Sequence, residues 1–208
     1  MKITKRILCI ACSLCIMMSL NVTGYAMPVL PDRLNSVENA ITTEIYSRIA
    51  EINMDEEISK AQAGYIGDDI DHSVLDRIDV AASDDLNVSY TVRKLGTLTE
   101  MASSLDTAAF SLEDEGNVYM VTASGEQKST TGSNYEDYVN CVITLVWIDN
   151  TGTDNKIVKC SGSWASNGRT LSNRNVKYGV YSLGSFVSGR YESRSPSTDS
   201  LSIFLQGL

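Results

Sequence analysis

Histidine, proline and basic residues are scarce in this chain, and each scarcity argues against a class of protein. The 208 residues contain one His, three Pro, and 17 Lys and Arg against 26 Asp and Glu. A single His leaves no zinc-type set of His and Cys ligands and no convincing Ser-His-Asp or Cys-His catalytic system. The net charge of −9 argues against nucleic acid as a partner. With 43% hydrophobic residues and so little Pro, we expect a folded chain rather than a disordered one.

Long apolar runs are also missing, but a shorter one lies at the N-terminus. Three basic residues in the first six positions precede the apolar stretch 7–20, whereas a membrane-spanning helix needs about 20 residues. Gly24 and Ala26 then supply small residues three and one positions before a cleavage site, which completes the layout of a secretory signal peptide. We expect cleavage after Ala26, secretion, and no stable membrane insertion afterwards. The alternatives are an uncleaved N-terminal anchor and lipidation at Cys12 or Cys15.

Charge is distributed unevenly along the remaining chain. Removing residues 1–26 from 208 leaves 182 residues, and because that segment holds three basic and no acidic residues, the net charge becomes −12. Residues 27–116 carry a net charge of −13 and residues 117–208 a net charge of +1. This asymmetry indicates two regions of different character. We therefore predict a signal peptide, an acidic helical and loop region at 27–85, and a β-sandwich domain at 86–208.

The acidic region begins with the pattern of an amphipathic helix. Its apolar residues recur at spacings of 4, 4, 4 and 3, at Val37, Ile41, Ile45, Ile49 and Ile52. Asn35 with Glu38 fits the start of this helix, and Asn53 with Glu56 fits the start of a second one that ends near Gly64. The polar face is acidic, which argues against a membrane-surface helix. We expect the apolar stripe to pack against a sheet.

Alternating and continuous apolar segments predict a mainly β architecture after residue 85. About seven strands are expected, near 86–92, 118–124, 138–148, 156–164, 176–180, 185–194 and 200–206. The segment 138–148 has apolar residues at both odd-numbered and even-numbered positions, which indicates a central strand covered on both faces. Turn signals fall at 149–152 and at Asn167-Gly168, the latter a strong hairpin signal. The fold class is therefore an antiparallel β-sandwich or open barrel preceded by an amphipathic α-helical segment.

Only two cysteines remain after residue 26, and both lie in the β region. In an exported chain, Cys141 and Cys160 are expected to form a disulfide. A hairpin register that places the two Cys opposite each other puts its connection at 149–152, where a turn is predicted independently. The alternative is a pair of buried free thiols.

Two sets of residues are candidates for a site. Asp68, Asp69, Asp71 and His72 bring three carboxylates and the only imidazole within five residues, which suits a weak Ca²⁺-type metal site. A solvated acidic loop is the alternative, and no cofactor is indicated elsewhere. Tyr135 and Tyr138 lie beside a polar stretch and are candidate binding residues, since exposed aromatic rings stack on sugars. The alternative is that aromatics in strands serve as core or cross-strand pairs.

One stretch of the β region resembles a known group of proteins. Trp147-x-Asp149 and Ser161-Gly162-x-Trp164 are followed by Asn167-Gly168-Arg169 and Tyr178-Gly179. Over residues 117–182 this pattern resembles small exported β-sandwich proteins of unknown function from Gram-positive bacteria. The resemblance implies a β-sandwich and export, and it implies no activity and no site residue.

No set of residues nominates a reaction, so the sequence favours a non-catalytic function. We expect a secreted binding or interaction module that acts at the cell envelope or outside the cell. Its partner would be an envelope glycan, a host glycan or a protein. One alternative is a carboxylate-based extracellular hydrolase, since Asp and Glu are plentiful. The other is a bacteriocin-like antagonist, against which the acidic charge argues because membrane-active killers are usually basic.

Overall fold

The computed structural model describes residues 13–18, 31–82, 87–103, 116–130, 136–149, 155–166, 171, 174–182 and 185–204. Its helices are α1 (Pro31–Ala50), α2 (Met54–Gln62), α3 (His72–Leu75) and α4 (Leu98–Ser103). Its strands are β1 (Ser13–Met18), β2 (Ile78–Ala82), β3 (Asn87–Thr97), β4 (Asn117–Thr130), β5 (Glu136–Asp149), β6 (Lys156–Ser166), β7 (Asn175–Ser182), β8 (Ser185–Arg194) and β9 (Ser200–Phe204). The protein is mainly β, as the sequence predicts.

The strands form two sheets that do not close into a barrel. The larger sheet has the order β3-β4-β5-β6-β9 and is antiparallel throughout. The smaller sheet has the order β2-β1-β7-β8, in which β1 runs parallel to β7 and antiparallel to β2. Two of these strands were not expected: β2 lies in the acidic region, and β1 lies inside the segment expected to be cleaved.

Strand β5 explains why the fold has two cores. Its side chains alternate between the two faces of the larger sheet. Both sets of side chains are buried, as predicted from the apolar residues at odd-numbered and even-numbered positions alike. One face belongs to the inter-sheet core, whose members include Leu145, Trp147, Val176 and Tyr178. The other belongs to the helix-side core, whose members include Ile45, Met101, Val146 and Ile148. A fully buried side chain of this size contributes about 1.5–3 kcal/mol, so β5 anchors both layers.

The amphipathic helix packs as its apolar stripe predicts. Ile41, Ile45 and Ile49 are buried in the helix-side core, and Ile52 packs against it. The predicted cap at Asn35 is wrong, because α1 begins four residues earlier at Pro31, a residue well suited to the first helical position. Residues on both sides of the predicted boundary at 85 contribute to each core.

The disulfide prediction is wrong. Cys141 and Cys160 are buried and are not bonded to each other, because Cys141 lies opposite Trp164 and Cys160 lies opposite Leu145. The register is displaced by four residues from the expected one. Strand β5 ends at Asp149 and β6 begins at Lys156, so the connection is longer than the tight turn expected at 149–152. Both thiols still belong to the inter-sheet core.

The hairpin predicted at Asn167-Gly168 is also wrong, although those two residues lie outside the described part of the chain. Strand β6 pairs with β5 and β9, whereas β7 pairs with β1 and β8, so the strands on either side of this position belong to different sheets. Within the described residues, no helix is both long and apolar enough to cross a membrane.

Candidate ligand-binding cleft

A polar groove lies along strand β3, beside the end of α1 and helix α2, and we call it the α2–β3 cleft. It consists of two hollows of about 600 and 380 Å³ that share Arg93 and Lys94 of β3. The larger hollow is further lined by Glu44, Ser47, Arg48, Glu51, Ile52, Asn53, Glu56 and Leu95. The smaller is further lined by Glu57, Lys60, Tyr65, Gly67, Asp68, Asp69, Thr91 and Val92.

Local sequence signals fix the two ends of α2 and thereby shape the cleft. At the start, the Asn53 side chain accepts hydrogen bonds from the backbone N–H groups of Asp55 at 3.2 Å and Glu56 at 3.4 Å. This confirms the predicted cap. At the end, Gly64 adopts a φ of +64°, and the N–H of Tyr65 donates to the carbonyl of Lys60 at 2.9 Å. This is the Schellman pattern, in which Gly takes the left-handed position that other residues avoid.

Tyr65 is placed at the cleft rim by that helix end. It is 46% exposed, and it is the one large hydrophobic residue that is exposed among those the structure describes. Gly67 also lines the smaller hollow, and a Cβ there would stand 2.8 Å from the Asp69 carboxylate oxygen. The cleft therefore presents an aromatic ring beside a wall of hydrogen-bonding groups.

The wall between α2 and β3 is held by a buried carboxylate. Glu57 is 1% exposed, and its Oε1 accepts hydrogen bonds from Arg93 Nη2 and from Lys60 Nζ, the latter at 3.5 Å. Lys60 also pairs with the exposed Glu56 at 2.6 Å. That contact lowers the pKa of Glu56 and raises the pKa of Lys60. Because a buried carboxylate requires partners, Glu57 fixes Arg93 against α2.

The larger hollow combines a fixed cation with two available charges. Arg48 donates to Glu44 at 3.0 Å and to the carbonyl of Leu95 at 2.8 Å, which joins α1 to β3. No ion pair within the described residues involves Lys94 or Glu51. A donor and an acceptor on opposite walls are therefore available to a ligand.

The structure distributes the predicted metal residues between two places. Asp68 and Asp69 are exposed and line the smaller hollow. Asp71 instead caps α3 by accepting a hydrogen bond from the Ser73 N–H at 2.8 Å, which lowers the pKa of Asp71, and His72 is the first residue of that helix. No group of three or more His, Cys, Asp or Glu suited to a metal ion occurs in the part of the chain that is described.

The predicted binding tyrosines are not part of the described cleft. Tyr135 lies outside the described residues, and Tyr138 lies in β5, where only its backbone is described. Sequence reasoning missed Tyr65, Arg93 and Lys94. The signal for Tyr65 was present, because a Gly that ends a helix fixes the direction of the residue that follows it.

A comparison with protein-family models, curated proteins and solved structures gives no match. The resemblance to exported Gram-positive β-sandwich proteins over residues 117–182 therefore stays a prediction.

Proposed function

We propose that this protein is an exported, non-catalytic binding module that holds a glycan in the α2–β3 cleft. The observation that carries the proposal is Tyr65, an exposed aromatic ring on the rim of a groove lined by charged and amide side chains. A concave site whose lining combines an aromatic ring with a few convergent polar groups has the composition of a small-ligand pocket.

The chemistry of a sugar ring matches this arrangement. One face of the ring presents C–H groups, which pack on the face of an aromatic side chain, while hydroxyl groups around the edge both donate and accept hydrogen bonds. In the cleft, Lys94 and the Asn53 amide supply donors, and Glu51, Asp68 and Asp69 supply acceptors. Because both charge signs line the groove, the site suits a neutral or amide-bearing sugar better than a polyanion.

The ion pairs in the cleft favour binding over hydrolysis. A carboxylic acid that protonates a glycosidic oxygen needs a raised pKa, which is usually obtained by burial or by a neighbouring carboxylate. Glu56 has a lowered pKa because it accepts a hydrogen bond from Lys60. Glu57 and Glu44 are also committed to cations, Arg93 and Arg48 respectively. These ion pairs support a non-catalytic binding function over the function of a carboxylate-based hydrolase.

Export is part of the proposal and has its own test. The signal-peptide layout of residues 1–26 supports cleavage after Ala26. Expression of the full chain in a secreting bacterial host should give a product in the medium whose N-terminal residue is Met27. Retention of Met1 in the cell-associated protein would contradict export.

Glycan binding is tested with the protein purified from the medium. We expect binding on an array that carries peptidoglycan fragments, other envelope glycans and host glycans in separate sectors, which distinguishes the two sources. For the best ligand, Tyr65→Ala should weaken binding about tenfold by calorimetry, whereas Tyr65→Phe, which keeps the ring, should change it little. Arg194→Ala on β8 is the surface control. No binding in any sector, or equal binding by Tyr65→Ala, would contradict the proposal.

A further inference from the structure

The second sheet contains one strand that belongs to the segment expected to be cleaved. Ser13–Met18 forms β1 and lies between β2 and β7. Its residues pair with all five residues of β2, from Met18 opposite Ile78 to Leu14 opposite Ala82, and with β7 over six positions. We call this position between β2 and β7 the strand slot. Cleavage after Ala26 would leave both flanking strands without their shared neighbour.

We infer that the strand slot of the processed protein accepts an extended six-residue segment of another polypeptide, apolar at alternate positions, which replaces β1. The inference rests on the cleavage that forms part of the proposed function, and it concerns a different surface from the glycan cleft. Adding a strand to an exposed sheet edge is an established mode of peptide recognition, in which backbone hydrogen bonds supply affinity and side-chain positions supply specificity.

The β2 wall of the slot is held by contacts that do not involve β1. Ile78 and Val80 pack against the inter-sheet core. Directly before β2, the Arg77 guanidinium donates two hydrogen bonds to the Asp149 carboxylate at the end of β5, at 2.7 and 2.8 Å. These contacts oppose movement of β2, so the slot keeps the separation of about 9.5 Å that one intervening strand requires.

The β7 wall is held in the same way. Val176 and Tyr178 are buried in the inter-sheet core, and β7 keeps its antiparallel partner β8. The Tyr178 hydroxyl donates to Glu192 of β8 at 2.9 Å, which joins the two strands by their side chains. Loss of β1 therefore exposes the edge of β7 without removing what positions it.

The registers define the chemistry of the incoming strand. The positions of Leu14, Ile16 and Met18 lie opposite residues of both walls, and the described neighbours at these registers belong to the inter-sheet core: Val176, Tyr178, Val80 and Ile78. Residues directly opposite in a sheet share a face, so an incoming strand needs apolar side chains at these three registers.

The alternate registers have polar neighbours. Lys177 of β7 lies opposite the position of Cys15, and Asp79 of β2, which is exposed, lies opposite the position of Met17. A partner strand with an acidic residue at the first of these positions and a basic residue at the second complements both charges. Opposite charges directly across strands stabilise a pair, whereas like charges destabilise it. The partner is therefore an amphipathic strand with a defined direction and charge order.

The test uses the full chain with a site-specific protease sequence inserted between Ala26 and Met27. Backbone amide hydrogen exchange of β2 and β7 should be slow before the cut and should become about tenfold faster or more after the cut segment is removed. The amides of β4 and β5 report whether the remaining fold is intact. If the amides of β4 and β5 also lose protection, the peptide experiment described next decides whether the slot accepts a strand.

Three peptides that span residues 12–19, all with Cys12→Ser, test the slot. The matched peptide carries Cys15→Glu and Met17→Lys and should restore slow exchange in β2 and β7. The charge-reversed peptide, with Cys15→Lys and Met17→Glu, has the same composition and should bind about fivefold more weakly at low ionic strength. The matched peptide with Ile16→Pro should not restore protection, because Pro lacks the N–H that a central strand donates.

Four results would overturn the inference. The first is rapid exchange of β2 and β7 in the uncut chain, which would show that β1 does not occupy the slot. The second is slow exchange after removal of the cut segment, which would show that the strands close on each other or on a second copy. The third is failure of the matched peptide to restore protection, and the fourth is equal binding of the charge-reversed peptide. None of these results bears on glycan binding, which Tyr65 variants report separately.

Discussion

The α2–β3 cleft and the strand slot differ in what completes them. The cleft is built from residues 44–95, and its walls are fixed by internal contacts such as the ion pair between Arg93 and buried Glu57. The slot instead lies between two strands that meet only through β1. A finished polar groove suits a solvated small ligand, whereas a vacated position in a sheet suits a backbone with unsatisfied hydrogen-bonding groups.

The two regions also differ in the cores that support them. The helix-side core carries α1, which joins β3 through Arg48 at the larger hollow, whereas the inter-sheet core carries the walls of the slot and also Val92 of the smaller hollow. Both cores meet on β5, whose alternate side chains enter one or the other. Substitutions on the two faces of one sheet can therefore separate the larger hollow from the slot experimentally.

The largest expected effect comes from truncating one core at a time. Ile45→Ala in the helix-side core and Leu145→Ala in the inter-sheet core each remove a fully buried side chain, so each should lower the free energy of unfolding by about 2–5 kcal/mol. Urea denaturation measures the loss. Hydrogen exchange should then show the excess opening near α1 for the first variant and in β7 for the second, and the reverse pattern would break the assignment of the two cores.

The second-largest expected effect comes from breaking the ion pair between Arg77 and Asp149, which holds β2 in place. Arg77→Ala leaves the Asp149 carboxylate, whose side chain is 6% exposed, without its bidentate partner and should cost about 2–3 kcal/mol. Lys156→Ala breaks a more exposed pair with Glu38 at 3.6 Å and should cost less than about 1 kcal/mol. Thermal denaturation compares the two. Equal losses would show that the buried carboxylate does not hold the β2 wall.

A smaller effect should appear at alkaline pH on the slot side. Burial raises the pKa of the Cys160 thiol from 9.0 to about 12, so the unfolded chain releases this proton at a lower pH than the folded protein. Stability should therefore fall as pH rises above about 9, and between pH 9 and 10 the unfolding equilibrium should shift by up to about tenfold, which is about 1.4 kcal/mol. The pKa of Tyr178 is raised in the same direction.

Urea denaturation at pH 8 to 10 measures this dependence. Cys160→Ala should flatten the curve between pH 9 and 10, below the ordinary pKa of tyrosine. An unchanged slope would contradict a buried thiol at this position. A separate thiol titration of the processed protein, unfolded under non-reducing conditions, should detect two reactive thiols, those of Cys141 and Cys160, because the structure has no bond between them.

The smallest effect tests the cleft. Asn53→Ala removes the acceptor for two N–H groups at the start of α2 and should cost about 1 kcal/mol of unfolding free energy. Asn53→Asp keeps an acceptor and should cost little. Because α2 forms one wall of the cleft and none of the slot, the Ala variant should weaken glycan binding without changing hydrogen exchange in β2 or β7.

The sequence predicts the elements well where one local signal determines them. Three predictions of this kind are confirmed: the cap at Asn53, the packing of the apolar stripe of α1, and the burial of β5 on both faces. Pairing partners depend on loop length and on the crossing between sheets, which no local pattern records. For this reason the Cys141–Cys160 register and the Asn167-Gly168 hairpin were predicted wrongly.

The candidate site was harder to predict because it joins distant segments. Asp68 and Asp69 were singled out for metal binding and instead line a cleft with Arg93 and Lys94, more than 20 residues along the chain. Only the packing of α2 on β3 brings them together. Tyr65 could have been chosen from the helix end at Gly64, but its exposure depends on the tertiary structure.

Mapping the bound glycan on the processed protein tests the central claim most directly. During titration with the best array ligand, amide chemical shifts should change at residues 53–69 and 91–95, around Tyr65, Arg93 and Lys94, and should stay constant at residues 78–80 and 175–179 of the strand slot. Shift changes confined to the slot strands, or to neither region, would contradict the assignment of the α2–β3 cleft as the glycan site.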